Sequence, residues 1–214
     1  MLTLLGILGQ SHPEHYDSKQ IVVAPAGGEA LRVTEVVDVD FGRAQRHGYE
    51  RKIPNDFGQP TDVVASSTDA PDRVSVSNFG PYTRIRVGDP AVTISGAHRY
   101  VLAYTYPAAQ LTSGRLALDI IDTHETFRTD RFEVVVTGFE LADPVCHVGN
   151  FDDTGGCELV DDGTVYRALF APLAPGQGIT IAGDIVGTRP VVDIEAPPLA
   201  DATGASTIPL TVAT

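Results

Sequence analysis

The stretch QRHGYERKIPNDF, residues 45–57, gathers side chains that could bind an anion or transfer a proton. Four of them are basic: Arg46, His47, Arg51 and Lys52. Gly48 permits a turn with positive φ, and Pro54 directs Ile53 toward an extended backbone. Tyr49 and Ile53 are suited to anchor a chain that crosses between two sheets. An anion site, a catalytic site and a structural crossover all fit this stretch, and we favour the crossover.

Glu35 strengthens the structural interpretation. It alternates with Val33 and Val37 on the apolar face of a predicted strand. A lone buried carboxylate is costly, so it requires a cation or several hydrogen-bond donors. The segment that follows this strand returns alongside it and carries Arg46 and Arg51. We therefore predict that Glu35 pairs with Arg51, or with Arg46, and that the pair fixes the crossover.

Other groups with chemical potential give weaker signals. His12 and His15, in HPEH, could bind a metal but favour a flexible acidic tail. Asp119, Asp122 and Glu125 with His124 could form an acid–base pair at a strand end, but a solvated loop is the favoured interpretation. Carboxylates that could bind calcium flank the cysteine turn, but their spacing matches no EF-hand loop: Asp152, Asp153, Asp161 and Asp162. The sequence predicts no catalytic residue, no metal ligand and no cofactor.

The two cysteines bracket a turn-forming insert. Cys146 and Cys157 enclose HVGNFDDTGG, which is rich in residues that reverse the chain. Zinc binding is poorly supported, since His147 and nearby carboxylates match no zinc spacing. Two free thiols in a cytosolic protein are the alternative to a disulfide. We favour the disulfide, which implies an oxidising compartment.

The elements that position these residues are predicted to be β-strands. Apolar and polar residues alternate in ten segments: 20–24, 30–41, 62–66, 73–77, 84–87, 98–106, 115–121, 131–139, 164–170 and 178–182. Turn sequences rich in Gly, Pro and Asp separate them. Segment 98–106 reads as a central strand covered on both faces. The predicted fold class is all-β, an antiparallel β-sandwich of about ten strands, immunoglobulin-like or related, with flexible N- and C-terminal tails.

Composition sets the domain limits and excludes some partners. We predict an N-terminal tail or signal remnant at 1–15, a β-sandwich domain at 16–186 and a Pro/Ala/Thr-rich linker or tail at 187–214. Hydrophobic residues make up 43% of the 214 residues, enough for one core. The net charge of −13 disfavours nucleic acids and anionic lipids. No segment approaches the roughly 18 apolar residues of a membrane span.

Several ordered motifs resemble one bacterial family. They are VTE…DFG…RHGYERKIP, RIRVGDP, ISGAHRYVLAYTY and the segment 145–186 that holds the cysteines. Together they resemble the N-terminal domain of bacterial predicted membrane proteins known as domain of unknown function 2207. The resemblance implies an extracytoplasmic, β-rich domain followed by membrane helices, with no established activity. It marks motif positions of structural type: Glu35, Arg46, His47, Gly48, Arg51 and Pro54.

The chain departs from that family in two ways. It contains no Trp, whereas family members carry a Trp-rich region after the tyrosine strand. Membrane contact would come only through segments absent from this chain. The leading expectation is an uncharacterised extracytoplasmic, non-enzymatic binding or assembly module of a cell-envelope protein, with an envelope protein or polymer as partner. The alternatives are a hydrolase that acts on an envelope carbohydrate or peptide through acidic loops, and a cytosolic protein with free thiols.

Overall fold

The computed structural model describes residues 13–108 and 114–199, which form β-strands and connecting turns. The fourteen strands within these ranges are β1 His15–Pro25, β2 Leu31–Asp40, β3 Tyr49–Pro54, β4 Thr61–Ser67, β5 Val74–Phe79, β6 Tyr82–Val87, β7 Ala97–Tyr106, β8 Arg115–Ile121, β9 Arg128–Val136, β10 Phe139–Gly149, β11 Gly156–Cys157, β12 Val160–Asp161, β13 Tyr166–Phe170 and β14 Gly178–Thr188. The all-β, sandwich-like prediction is confirmed. The described ranges hold no helix long and apolar enough to span a bilayer.

The strands form three sheets. The seven-stranded sheet has the order β12-β13-β9-β1-β2-β7-β4, the four-stranded sheet β11-β10-β14-β8 and the three-stranded sheet β3-β6-β5. Strands β1 and β9 pair in parallel, whereas the other recorded pairs are antiparallel. The parallel pair departs from the purely antiparallel prediction. Strand alternation specifies which face is buried and does not specify the direction of the neighbour.

A single apolar core connects the three sheets. Val37 of the seven-stranded sheet, Ile85 of the three-stranded sheet and Ile181 of the four-stranded sheet are all fully buried members of it. Strand β7 buries Tyr100 and its alternating neighbours against this core. Its opposite face is half-buried, as at Val101, so the predicted cover on both faces is partial.

The predicted strand 131–139 is divided in two. Strand β9 ends at Val136 and β10 begins at Phe139. Between them Gly138 adopts a φ of +83°, and a Cβ there would lie 2.5 Å from Pro25 Cδ. Glycine therefore allows both the left-handed backbone and the close approach at this break.

Both described ends of the chain are held by the sheets. Strand β1 already begins at His15, and β14 continues to Thr188, two residues beyond the predicted domain limit. The following segment, 189–199, has no regular structure but is hydrogen-bonded to the sheet. Arg99 of β7 donates to the Pro197 carbonyl at 2.7 Å, and Gln20 of β1 donates to the Glu195 carbonyl at 3.2 Å. The rest of the predicted tails, 1–12 and 200–214, lies outside the described residues.

Candidate functional site

Glu35 lies at the centre of a buried polar network. Its side chain is fully buried on β2. Arg51 Nε donates to Glu35 Oε1 at 2.8 Å, and the Tyr104 hydroxyl donates to the same oxygen at 2.9 Å. The Tyr49 hydroxyl donates to Oε2 at 3.3 Å. The predicted Glu35–Arg51 pair is therefore present, with two phenols completing the coordination of the carboxylate.

Arg51 ties the three sheets together. It lies on β3 and contacts Glu35 on β2, while its Nη2 donates to the Ile120 carbonyl of β8 at 2.8 Å. A third donor, Nη1, reaches the Lys52 carbonyl at 2.8 Å. The planar guanidinium has enough donors in fixed directions to make these contacts together. This geometry supports the structural crossover that the sequence predicted for residues 45–57.

Lys19 is the member of the network that sequence reasoning missed. Its side chain is 1% exposed, and Nζ has no hydrogen-bond partner among the described residues. The ammonium lies 3.9 Å from a carboxylate oxygen of Glu35 and 3.9 Å from one of Glu125. It also lies 4.8 Å from the ring centre of Tyr16, within cation–π range. Strand alternation could have found it, because Lys19 shares parity with buried Ile21.

Burial and neighbouring charges shift the ionisation of the network. Burial opposes the charged form of Glu35, but Arg51 and Lys19, together with hydrogen bonds, hold its pKa below the ordinary value of 4.5. Burial lowers the pKa of Lys19, and the nearby carboxylates of Glu35 and Glu125 oppose that shift. Burial and the Glu35 charge raise the pKa of Tyr104 well above 10. The carboxylate is therefore ionised at neutral pH and the phenol is a donor.

An open cleft of about 430 Å³ lies above this network. One wall is the stretch 45–52, and the opposite wall is the loop Asp122–Phe127 together with Ile121. Tyr16, Val39, Phe41 and Arg86 also line the cleft. Tyr49 and Arg51 line the cleft, and the buried Glu35 and Lys19 lie against them; we refer to these four residues as the floor of the cleft. We refer to this space as the basic cleft.

The remaining motif residues have distinct positions. Arg46 makes a bidentate contact with Glu14, so it is not the partner of Glu35. The ring of His47 contacts the Val92 carbonyl through Nδ1 at 2.9 Å. Gly48 has a φ of +110°, and a Cβ there would lie 2.0 Å from the Val87 carbonyl oxygen. Pro54 ends β3 and lines a different cavity.

That second cavity, about 470 Å³, collects acidic side chains predicted separately from the sequence. Asp119, Asp122 and His124 line it together with Asp152 and Asp153 of the cysteine loop. Several of these groups already have partners within the protein. Asp119 accepts a hydrogen bond from the Thr180 hydroxyl at 2.5 Å, and Asp122 accepts one from the His124 amide at 2.7 Å. We refer to this space as the acidic cavity.

The cysteine loop closes as predicted. Cys146 of β10 and Cys157 of β11 face each other across the ladder and form a disulfide. His147 Nδ1 accepts a hydrogen bond from the Gly155 amide at 2.7 Å, which fixes the loop internally. Asp161, one of the four calcium candidates, instead pairs with both terminal nitrogens of Arg189 at 2.7 and 2.8 Å.

Comparisons with known proteins give distant structural similarity. No family model matches the chain, and no curated protein matches it. An M1 zinc metallopeptidase from Deinococcus radiodurans aligns with a TM-score of 0.41 and 12% identity over 80% of this chain and 42% of that chain. A candidate protease from Parabacteroides distasonis ATCC 8503 aligns with a TM-score of 0.45 and 10% identity over 81% of this chain and 40% of that chain. The chain spans about two-fifths of the length of these proteins, and similarity at this level assigns neither family nor activity.

Proposed function

We propose that this chain is an extracytoplasmic, non-enzymatic binding or assembly module of a bacterial cell-envelope protein, and that the basic cleft receives its partner. The observation that carries the proposal is the cleft itself, an open space above a fully hydrogen-bonded carboxylate. The Glu35 carboxylate and the Arg51 guanidinium are held by one another, by two phenols and by backbone carbonyls. Groups held in this way shape a binding surface and are not free to act as an acid, base or nucleophile.

The charge of the cleft wall supports an acidic partner. The chain has a net charge of −13, yet the cleft lining carries four basic residues, Arg46, Arg51, Lys52 and Arg86, against three acidic ones, Glu50, Asp122 and Glu125. Lys52 is exposed at the cleft, and Arg86 from β6 has a side chain that is 38% exposed and donates a hydrogen bond to Glu50 at 3.0 Å. Basic groups on the rim of this cleft favour the binding of envelope proteins or polymers that carry carboxylate or phosphate groups.

Binding can be tested by co-sedimentation of the purified chain with isolated cell-wall sacculi and by titration with solubilised wall polymers. The double variant Lys52→Glu/Arg86→Glu should bind at least about tenfold more weakly, because each substitution places at the rim a negative charge that repels an acidic partner. The matched control is Arg115→Glu on β8, an exposed arginine paired with Asp184 and distant from the cleft lining. Equal binding by all three proteins would refute the basic cleft as the binding surface.

The compartment requires a separate test. The Cys146–Cys157 bridge supports an oxidising environment. Alkylation of the protein from its native host without reductant, followed by mass spectrometry, should find no modified cysteine. Two alkylated thiols would exclude the extracytoplasmic placement and favour a cytosolic partner.

A second candidate function rests on the acidic cavity. Asp119 and Asp122 line one open space, an arrangement that could support hydrolysis of an envelope carbohydrate or peptide. The test is turnover of wall glycan and peptide substrates by the wild-type chain and by Asp119→Asn and Asp122→Asn. Activity abolished by either substitution would favour a hydrolase over a binding module.

A further inference from the structure

His15, Asp17 and Asp130 form a cluster outside the basic cleft and the acidic cavity. His15 Nε2 lies 3.0 Å from Asp17 Oδ1 and 3.8 Å from Asp130 Oδ2. One ligand atom from each of the three side chains lies within 4.8 Å of the others. His15 and Asp17 are half-buried, and Asp130 is exposed. The sequence had placed His15 in an acidic tail, whereas the structure places it on β1.

Two neighbouring strands hold the cluster. Strands β1 and β9 pair in parallel, with His15 opposite Arg128 and Tyr16 opposite Thr129. The next pair in the ladder is Ser18 with Arg131, so Asp17 and Asp130 lie opposite each other between these two pairs. The β1–β9 ladder keeps a constant offset here, whereas the pairing of β1 with β2 shifts register between Tyr16 and Ser18. A bulge of this kind redirects side chains, and it lies at Asp17.

The other imidazole nitrogen contacts the backbone. His15 Nδ1 lies 3.0 Å from the Pro13 carbonyl oxygen. A carbonyl oxygen only accepts, so Nδ1 carries a hydrogen. Nε2 is therefore the ring nitrogen that faces the two carboxylates, and a contact from the other nitrogen to a backbone carbonyl is one that metal-bound histidines usually have.

We propose that His15 Nε2 and carboxylate oxygens of Asp17 and Asp130 bind a divalent transition metal of the zinc class. Zinc accepts imidazole nitrogen and carboxylate oxygen at about 2.0–2.2 Å, which places tetrahedral ligands roughly 3.3–3.5 Å apart. The observed separations of 3.0 and 3.8 Å bracket that value. The three protein ligands leave a fourth position open to solvent, and binding would cross-link β1 to β9.

Arg128 competes with the metal for one ligand. Its Nε donates to Asp130 Oδ1 at 2.7 Å, and both side chains are exposed by about half. Removing the guanidinium should free the carboxylate and strengthen metal binding. This prediction separates a three-residue site from general attraction of cations to an acidic surface, because Arg128→Gln changes a contact specific to Asp130.

The test is isothermal titration of the whole chain with ZnCl2 in chelator-free buffer near pH 7. We expect about one equivalent to bind, His15→Ala to weaken binding by at least tenfold, and Arg128→Gln to strengthen it severalfold. The matched controls are His98→Ala and His124→Ala, because each of these rings lies 3.5 Å from a single carboxylate, Asp69 and Asp122 respectively. Both controls should stay within about twofold of the wild-type affinity.

A thermal readout makes the test independent of titration heats. Metal that binds the folded state alone raises the melting temperature, and the rise should disappear in His15→Ala and in Asp130→Asn. Zinc affinity that is unchanged in both variants would overturn the proposal, and so would an equal loss in His98→Ala. Absence of any heat or thermal shift with the wild-type chain would also overturn it.

Discussion

Replacing Arg51 by Met tests whether residues 45–57 act as a structural crossover. The substitution keeps a long apolar side chain and removes the guanidinium that contacts Glu35 and the Ile120 carbonyl. Glu35 would retain the Tyr104 and Tyr49 phenols and the Lys19 ammonium at 3.9 Å. Its strongest partner would be gone, in a position with no access to water.

The expected loss is large for a single substitution. Removing one partner of a buried ion pair costs about 3–5 kcal/mol, because the remaining charge stays buried. The Ile120 carbonyl also loses its donor, so the upper half of that range applies if the site relaxes little. For a domain of this size, each kcal/mol lowers the melting temperature by about 2–4 °C. The variant should therefore melt roughly 6–20 °C below the wild type.

The assay is thermal and urea unfolding followed by circular dichroism at neutral pH. Arg51→Lys should fall between Met and wild type, since an ammonium keeps the charge but cannot reach both Glu35 and Ile120 in the same geometry. Arg46→Met is the matched control from the same stretch, because Arg46 is 47% exposed and pairs with Glu14 at the surface. It should cost less than about 1 kcal/mol. An unchanged melting temperature for Arg51→Met, or an equal loss for Arg46→Met, would refute the crossover.

Three further predictions use the same unfolding assays. The double variant Cys146→Ser/Cys157→Ser should lose about 3 kcal/mol of unfolding free energy in the chain-entropy model. A reductant should destabilise the wild type by a similar amount and leave the variant unchanged. The pKa of Glu35 is lowered in the folded state, so its contribution to the free energy of unfolding is present at neutral pH and is lost as the pH falls below 4.5. The unfolding free energy of Glu35→Gln should therefore fall less steeply with decreasing pH than that of the wild type. Equal slopes for the two proteins would contradict this. Gly48→Ala should destabilise far more than Gly28→Ala, because both residues have positive φ but a Cβ meets the Val87 carbonyl only at the first; comparable losses would contradict the close approach.

Much of the fold follows from alternation, and the parts that were missed have identifiable causes. Strands β2 and β7 were predicted because branched and aromatic residues recur at every second position. Strand β3 was missed because its inward face is Tyr49, Arg51 and Ile53, and the arginine interrupts the apolar pattern. Strand β10 contains the dipeptide Asp143–Pro144, where its pairing shifts register and Asp143 has positive φ. Proline and a bulge conceal a strand from any period-two pattern.

The site shows a similar division between local and long-range information. The Glu35–Arg51 pair was predictable because the two residues lie only 16 positions apart, on consecutive strands, although β3 belongs to a different sheet from β2 and does not pair with it. The contact of Lys19 with Glu125 joins positions more than a hundred residues apart, through the parallel pairing of β1 and β9. No local pattern specifies that pairing. The burial of Lys19 could be predicted from strand alternation. Its contact with the carboxylate of Glu125, in the loop 122–127, could not.

The buried network also determines where functional tests should be made. Two basic groups, Lys19 and Arg51, face two acidic groups, Glu35 and Glu125, so the charges beneath the basic cleft nearly balance. These groups come from β1, β3, β2 and the loop after β8, and any substitution among them disturbs several sheets at once. Loss of binding in a floor variant would therefore report on folding. The proposed binding is therefore best tested at the rim, where Lys52 and Arg86 lie outside the core, with variants that keep the wild-type melting temperature.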